Sequence, residues 1–249
     1  MGFNNPGALA VRDSLVERKS KGLWPNNPIA ANIGRSKKVS NDDAPDDYSA
    51  TLDILWDYSD LFVLNISSPN TPGLRELQQE DHLSKVLDAC NIIRDRKHNF
   101  KPILLKFSPD MEDDVLLKSV EIAIGSGING FVATNTTVSR YNPKNSQSRS
   151  VFAQNGGLSG RPLKARSLEV VNLLYEYTDS KIPIVGVGGI DSVDSAWDMI
   201  NSGASLIQLY SALVFQGPSI TSHIIKGLKK KVKENNFSSI QEAVGYYHK

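Results

Sequence analysis

The chain has 249 residues, with 28 Lys and Arg against 27 Asp and Glu and a net charge of +1. That length fits one large α/β domain or two small ones, and so even a balance makes no electrostatic case for a nucleic-acid partner. One cysteine, Cys90, excludes a disulfide framework and a cysteine-rich metal site, and the four histidines are not spaced as metal pairs or as part of a triad.

Taken in order, Ala8, Leu9, Val11, Leu15 and Val16 have helical spacing over 8–20, and Pro25-Asn26-Asn27-Pro28 ends it. Ile29-Ala30-Ala31-Asn32-Ile33-Gly34 reads as a short strand, followed by a basic loop, Arg35-Ser36-Lys37-Lys38. Asp42, Asp43 and Pro45 open a helix with apolar positions at Tyr48, Leu52, Leu55 and Trp56. A strand over 61–66 runs into a turn on two prolines and a glycine, Pro69 to Gly73. A helix spans Glu80 to Arg96, with Cys90 on its apolar side as a small core residue.

The strand Pro102 to Phe107 carries one lysine, Lys106, among apolar residues, and Ser108-Pro109-Asp110 ends it before a helix to Gly125. Gly130 to Thr137 reads as a strand with an amide and hydroxyl tip, and 139–156 as a long polar loop of the kind that serves as a lid. After Gly156-Gly157-Leu158-Ser159-Gly160 comes a helix to Tyr177. A strand over 182–189 ends in glycines, a helix capped by Ser192 reaches Ile200, and a last strand covers 205–210. The remainder is predicted helical to about Val232, with a basic cluster at Lys226–Lys233 that suits a solvated face, and helical again over 239–246. No apolar run approaches the ~20 residues of a membrane span.

Alternating strands and helices with no composition shift imply one domain over 1–249, built on a parallel sheet covered on both faces. The six strands fall short of the eight of a closed (β/α)₈ barrel. The glycine-rich end at Gly186-Val187-Gly188-Gly189 and the final Tyr210-Ser211 nevertheless match the phosphate site that barrels build from their last strand loops. The strand tips collect amides and hydroxyls: Asn32, Asn65, Ser68, Asn70, Thr134, Asn135 and Thr136. Lys106 is the one cation among them. A buried lysine calls for an anionic ligand, forms a Schiff base, or reaches out to solvent.

The stretch Asn65-Ile66-Ser67-Ser68-Pro69-Asn70-Thr71-Pro72-Gly73-Leu74-Arg75 resembles the signature of the dihydroorotate dehydrogenase family, in its membrane-associated, quinone-linked class. The likeness continues through Lys106-Phe107-Ser108-Pro109-Asp110, Thr134-Asn135-Thr136-Thr137, Gly156-Gly157-Leu158-Ser159-Gly160, Gly186-Val187-Gly188-Gly189 and Leu209-Tyr210-Ser211-Ala212. It implies an FMN-binding (β/α)₈ barrel that oxidises dihydroorotate to orotate in pyrimidine (UMP) biosynthesis and passes electrons to ubiquinone or another membrane quinone.

By that resemblance Ser68 is the base that takes the C5 proton while the C6 hydride goes to FMN. Asn65, Asn70, Thr71, Asn135 and Thr136 hold the substrate, and Gly2 and Phe3 belong to a substrate motif. Asn32, Asn65, Lys106 and Thr134 contact the flavin, with Lys106 opposite its anionic reduced form. Ser159, Gly160, Gly188, Gly189, Tyr210 and Ser211 hold the ribityl phosphate, Ser211 standing where many members have threonine.

Family members carry more chain upstream, so the resemblance also implies that two barrel strands and a quinone-binding helical pair are missing. A fragment of that kind is expected to be poorly soluble and inactive by itself. Location is expected at the mitochondrial inner membrane if the source is eukaryotic, or peripherally at the cytoplasmic membrane if bacterial. Two other readings stay open: a non-redox barrel enzyme that uses Lys106 as a Schiff-base former, and a non-enzymatic remnant.

Overall fold

Short apolar runs bounded by proline, glycine and amides set the strands, and the helices between them turn their apolar stripes inward. A computed structural model of the chain describes residues 4–140 and 153–248. By its contacts the chain divides into two compact units: one takes the residues up to Lys106 together with Glu112–Gly130, the other Phe107–Met111 together with Phe131 onward.

The first unit runs α1 (Ala8–Ser20), β1 (Ala30–Ile33), α2 (Ala44–Leu55), β2 (Leu61–Asn65), a 3-10 turn (Leu74–Gln78), α3 (Glu80–Arg96), β3 (Ile103–Phe107) and α4 (Asp113–Gly125). β2 lies between β1 and β3, and both pairings are parallel. Tyr48, Leu52 and Leu55 recur at helical spacing on α2 and are buried with Trp56, Phe62, Leu64, Leu83, Val86 and Leu87. The rings of Trp56 and Phe62 stack with centroids 5.4 Å apart. Cys90 is buried, and the lack of water around it pushes its thiol up to about 12.

Two expectations need correction in this unit. α1 forms where its apolar spacing predicts but buries none of its residues, leaving Leu9 and Val16 exposed. β1 is not covered on both faces: Ala30 and Asn32 are exposed, because this strand has a single partner among the described residues.

The second unit runs β4 (Gly130–Ala133), a 3-10 turn (Arg161–Leu163), α5 (Lys164–Tyr177), β5 (Ile184–Val187), α6 (Val193–Asn201), β6 (Leu206–Gln208), α7 (Ser211–Gln216), α8 (Ser219–Glu234), α9 (Ile240–Ala243) and a last 3-10 turn (Tyr246–His248). β5 pairs in parallel with both β4 and β6. Ser192 caps α6 through a capping box with Ser195. Trp197 and Ile200 on α6 pack with Ala243, Phe237 and Val244. Gly203 and Gly245 give way to the Tyr175 ring: a Cβ at either would lie under 2.5 Å from it.

The strand expected over 130–137 stops at Ala133, because Thr137 is drawn off into an antiparallel bridge with Leu158. The strand expected over 205–210 shortens to three residues with Leu206 and Gln208 exposed. The helical remainder is broken at Gly217-Pro218, where the glycine takes φ 75°. The long polar loop read at 139–156 lies largely outside the described residues.

Candidate functional site

In the first unit the predicted residues gather at the ends of β2 and β3. Asn65 and Lys106 are register partners, so the strand ends present them side by side. Asn65 is buried, and its carbonyl accepts the Tyr48 hydroxyl at 2.9 Å. Burial raises the Tyr48 phenol well above its ordinary value, and the backbone and charge of Arg35 partly offset this. Tyr48 therefore stays a neutral donor at any working pH.

The loop after β2 is held at several points. The Ser67 hydroxyl donates to the Lys106 carbonyl at 2.6 Å. The Asn70 N–H donates to Ser68 Oγ at 3.3 Å, and Thr71 is buried beside it. An Arg35 guanidinium N–H reaches the Pro72 carbonyl at 2.6 Å, and the Asn41 amide donates to the Gly73 carbonyl at 3.0 Å. Gly73 turns the chain with φ 71°, a conformation side chains disfavour. Ser68 is only 5% exposed, so a buried hydroxyl sits on a backbone fixed at both ends.

Lys106 is half-buried rather than fully buried, and its ammonium has neither a hydrogen bond nor an ion pair among the described residues. Burial alone pushes its pKa down to about 8. A cation left unmatched at a strand end is suited to an anionic group. Asn32, on β1, is exposed.

The second unit holds the remaining residues. Thr134 is buried; its N–H donates to the Val187 carbonyl at 2.8 Å, and its hydroxyl lies 2.9 Å from that of Ser167 on α5. The Asn135 N–H donates to the Phe107 carbonyl, and the Asn135 side-chain oxygen accepts the Thr136 N–H, both at 2.8 Å. Asp110 steadies the chain beyond them: it accepts the Thr137 hydroxyl and, at 2.8 Å, the Val138 N–H.

At the end of β5, Gly188 and Gly189 take φ 134° and 70°. A Cβ on Gly188 would lie 2.1 Å from Ser167 Oγ, and one on Gly189 would lie 2.9 Å from the Lys164 amide at the start of α5. Only glycine lets the strand end approach that helix start, where backbone N–H groups favour an anion. Gly160 takes φ 81°, and the hydroxyls of Ser159 and Ser211 lie 2.8 Å apart. Tyr210 precedes Ser211 and is 59% exposed. Glycine backbone, paired hydroxyls and a helix start make a donor set fit for a phosphate.

The predicted residues thus fall into a strand-end group in one unit and a glycine and hydroxyl group in the other, each internally organised. Gly2 and Phe3 lie outside the described residues. Sequence reasoning missed Arg35, Tyr48 and Ser167. Arg35 read as part of a solvated basic loop, Tyr48 as plain core, and Ser167 as an unremarked helix position. A polar residue on the apolar stripe of α5 was the one signal available for Ser167.

The model of the dihydroorotate dehydrogenase family matches residues 1–232. A protein of Trichodesmium erythraeum named dihydroorotate dehydrogenase (quinone) is 41% identical over all of this chain, which covers 66% of that protein. One of the same name from Halobacterium salinarum is 42% identical over 98% of the chain and 66% of its own length. The chain therefore spans just under two thirds of these relatives. Among solved structures, DHODH from Eimeria tenella in complex with ferulenol superposes with a TM-score of 0.91 at 29% identity, over 100% of this chain and 70% of that one.

Proposed function

The chain belongs to the dihydroorotate dehydrogenase family, and from that premise we propose that the whole protein oxidises (S)-dihydroorotate to orotate with FMN and passes the electrons to a membrane quinone. The observation that carries this reading is the register of β2 and β3: Asn65 stands beside an unmatched Lys106, one turn from a buried Ser68 on an anchored loop. The FMN assignment is supported by the donor set at Ser159, Gly160, Gly188, Gly189 and Ser211, which suits a phosphate monoester. FMN, when bound, supplies the acceptor for the substrate hydride.

The residues have separate tasks. Ser68 Oγ takes the C5 proton of dihydroorotate, and the Thr71 hydroxyl passes it on to water. Asn65, Asn70, Asn135 and Thr136 offer the amides and hydroxyls that match a pyrimidine ring and its carboxylate. Lys106 holds positive charge for the flavin, and Asn32 and Thr134 offer it polar contacts. Gly188, Gly189, Gly160, Ser159, Tyr210 and Ser211 hold the phosphate.

The single catalytic domain over 1–249 and work at a membrane surface, mitochondrial or bacterial, are part of the same proposal. No helix among the described residues is long and apolar enough to cross a membrane. The test is the visible spectrum of the protein with added FMN, before and after dihydroorotate. Bound flavin that bleaches is expected, and a Ser68→Ala variant is expected to slow bleaching by roughly 10²–10⁴-fold. Full-rate bleaching in that variant sinks the base assignment. The lowered Lys106 also suits imine formation; a colourless protein that borohydride links to a carbonyl substrate at Lys106 would favour that reading instead.

A further inference from the structure

We propose that Arg35 is a positioning residue for the loop that carries Ser68, a role that rests on the reading of Ser68 as the base. Arg35 follows β1 and is 6% exposed. One of its terminal N–H groups donates to the Pro72 carbonyl at 2.6 Å, while its Nε is buried with no hydrogen-bond partner among the described residues. The Tyr48 hydroxyl holds the Asn65 carbonyl at 2.9 Å, at the other end of the same loop. Asn41 holds Gly73. One short stretch, from Arg35 to Tyr48, thus fixes the backbone before and after Ser68, Asn70 and Thr71.

Stability alone does not account for a guanidinium here. A buried charge with an unmatched N–H is costly, and an apolar side chain of similar volume in such a place is often neutral or stabilising. What the guanidinium supplies, and methionine cannot, is a charge-assisted hydrogen bond to one carbonyl at the end of a catalytic loop. Pro72 gives that carbonyl a fixed direction, since its ring restricts the backbone. With Pro69 and Pro72 limiting the loop from within, anchors at its two ends restrict the remaining freedom of Ser68 Oγ.

The test compares wild type, Arg35→Met and Arg35→Lys by amide hydrogen exchange and thermal melting, without substrate. Arg35→Met is expected to speed exchange across 66–75 by roughly tenfold while protection of β3 and α5 stays as in wild type. Its Tm is expected to be unchanged or higher. Arg35→Lys, which keeps a charged donor, is expected to restore most of the protection. In the FMN-loaded protein, Arg35→Met is expected to slow flavin reduction by dihydroorotate by about 10–100-fold, with little change in flavin affinity.

Exchange across 66–75 that stays at the wild-type rate overturns the proposal. So does an Arg35→Met chain that loses protection throughout β1, β2 and β3 with a fall in Tm, or fails to fold: Arg35 would then support the fold. If wild-type flavin is not reduced by dihydroorotate, the proposed function fails, and the exchange result still decides whether Arg35 holds the loop.

Discussion

Lys106 is the residue whose chemistry is most exposed to measurement. Its ordinary value of 10.5 falls to about 8 in the folded chain because burial disfavours the ammonium. Below pH 8 the group is protonated whether the chain is folded or not, and the full cost of burying charge is present. Between 8 and 10.5 the unfolded chain keeps a proton that the folded chain gives up, so stability rises with pH and levels off above. Lys106→Met removes that cost and that rise. We expect it to be more stable than wild type at pH 7 by about 1–3 kcal/mol, and the difference to vanish by pH 10.5. Denaturant titrations of both proteins at several pH values check this; equal slopes against pH would contradict it. An anion bound near Lys106 is expected to pull its value back up.

At the scale of elements, the contact between the end of β5 and the start of α5 is decided by two glycines. A Cβ on Gly189 would fall 2.6 Å from Lys164 Cβ and 2.8 Å from Lys164 Cα, so the helix start would have to move. Its φ of 70° adds strain for any side chain. Gly189→Ala is expected to cost about 2–4 kcal/mol and to weaken flavin retention, read by thermal melting and by flavin fluorescence after gel filtration. Retained flavin with an unchanged Tm would contradict this. These glycines were legible because a glycine run at a strand end has few other uses. β2 and β3 were legible because their apolar runs end in proline or amides. The exposure of α1 was not, since helical spacing in Leu9 and Val16 says a stripe exists but not what lies opposite it. The break between α7 and α8 was written in Gly217-Pro218, yet helical character on both sides concealed it.

At the scale of the molecule, β6 is the exposed edge of the second unit. Leu206 on it is 65% exposed, and Val214 and Phe215 on α7 are 72% and 85% exposed. An apolar edge with free ladder groups is a template for pairing with another chain. Leu206→Lys is expected to lower self-association of the 249-residue chain, read by sedimentation, while shifting stability by no more than about 0.5 kcal/mol. Unchanged association would show that this edge is not the contact. Much of the site was legible because each chemical residue sits at a strand tip, which a linear reading can find. The supports were not. Arg35, Tyr48 and Ser167 matter through carbonyls and hydroxyls more than ten residues away in sequence, and nothing in their own neighbourhood marks that distance.

The division into two units also carries a consequence for how the chain is made. Neither unit is continuous: the chain passes into the second for Phe107–Met111, returns to the first for Glu112–Gly130, and then leaves it for good. On a ribosome, the first unit cannot close until residue 130 has emerged, although its sheet strands are finished by Lys106. The Phe107–Met111 segment must meanwhile wait for partners not yet translated, among them Phe131, whose ring packs on Phe107 at 5.3 Å, and Arg166, which donates to Pro109 and Met111. The five residues that follow the lysine of the site are therefore the last part of the first half of the gene to find their place.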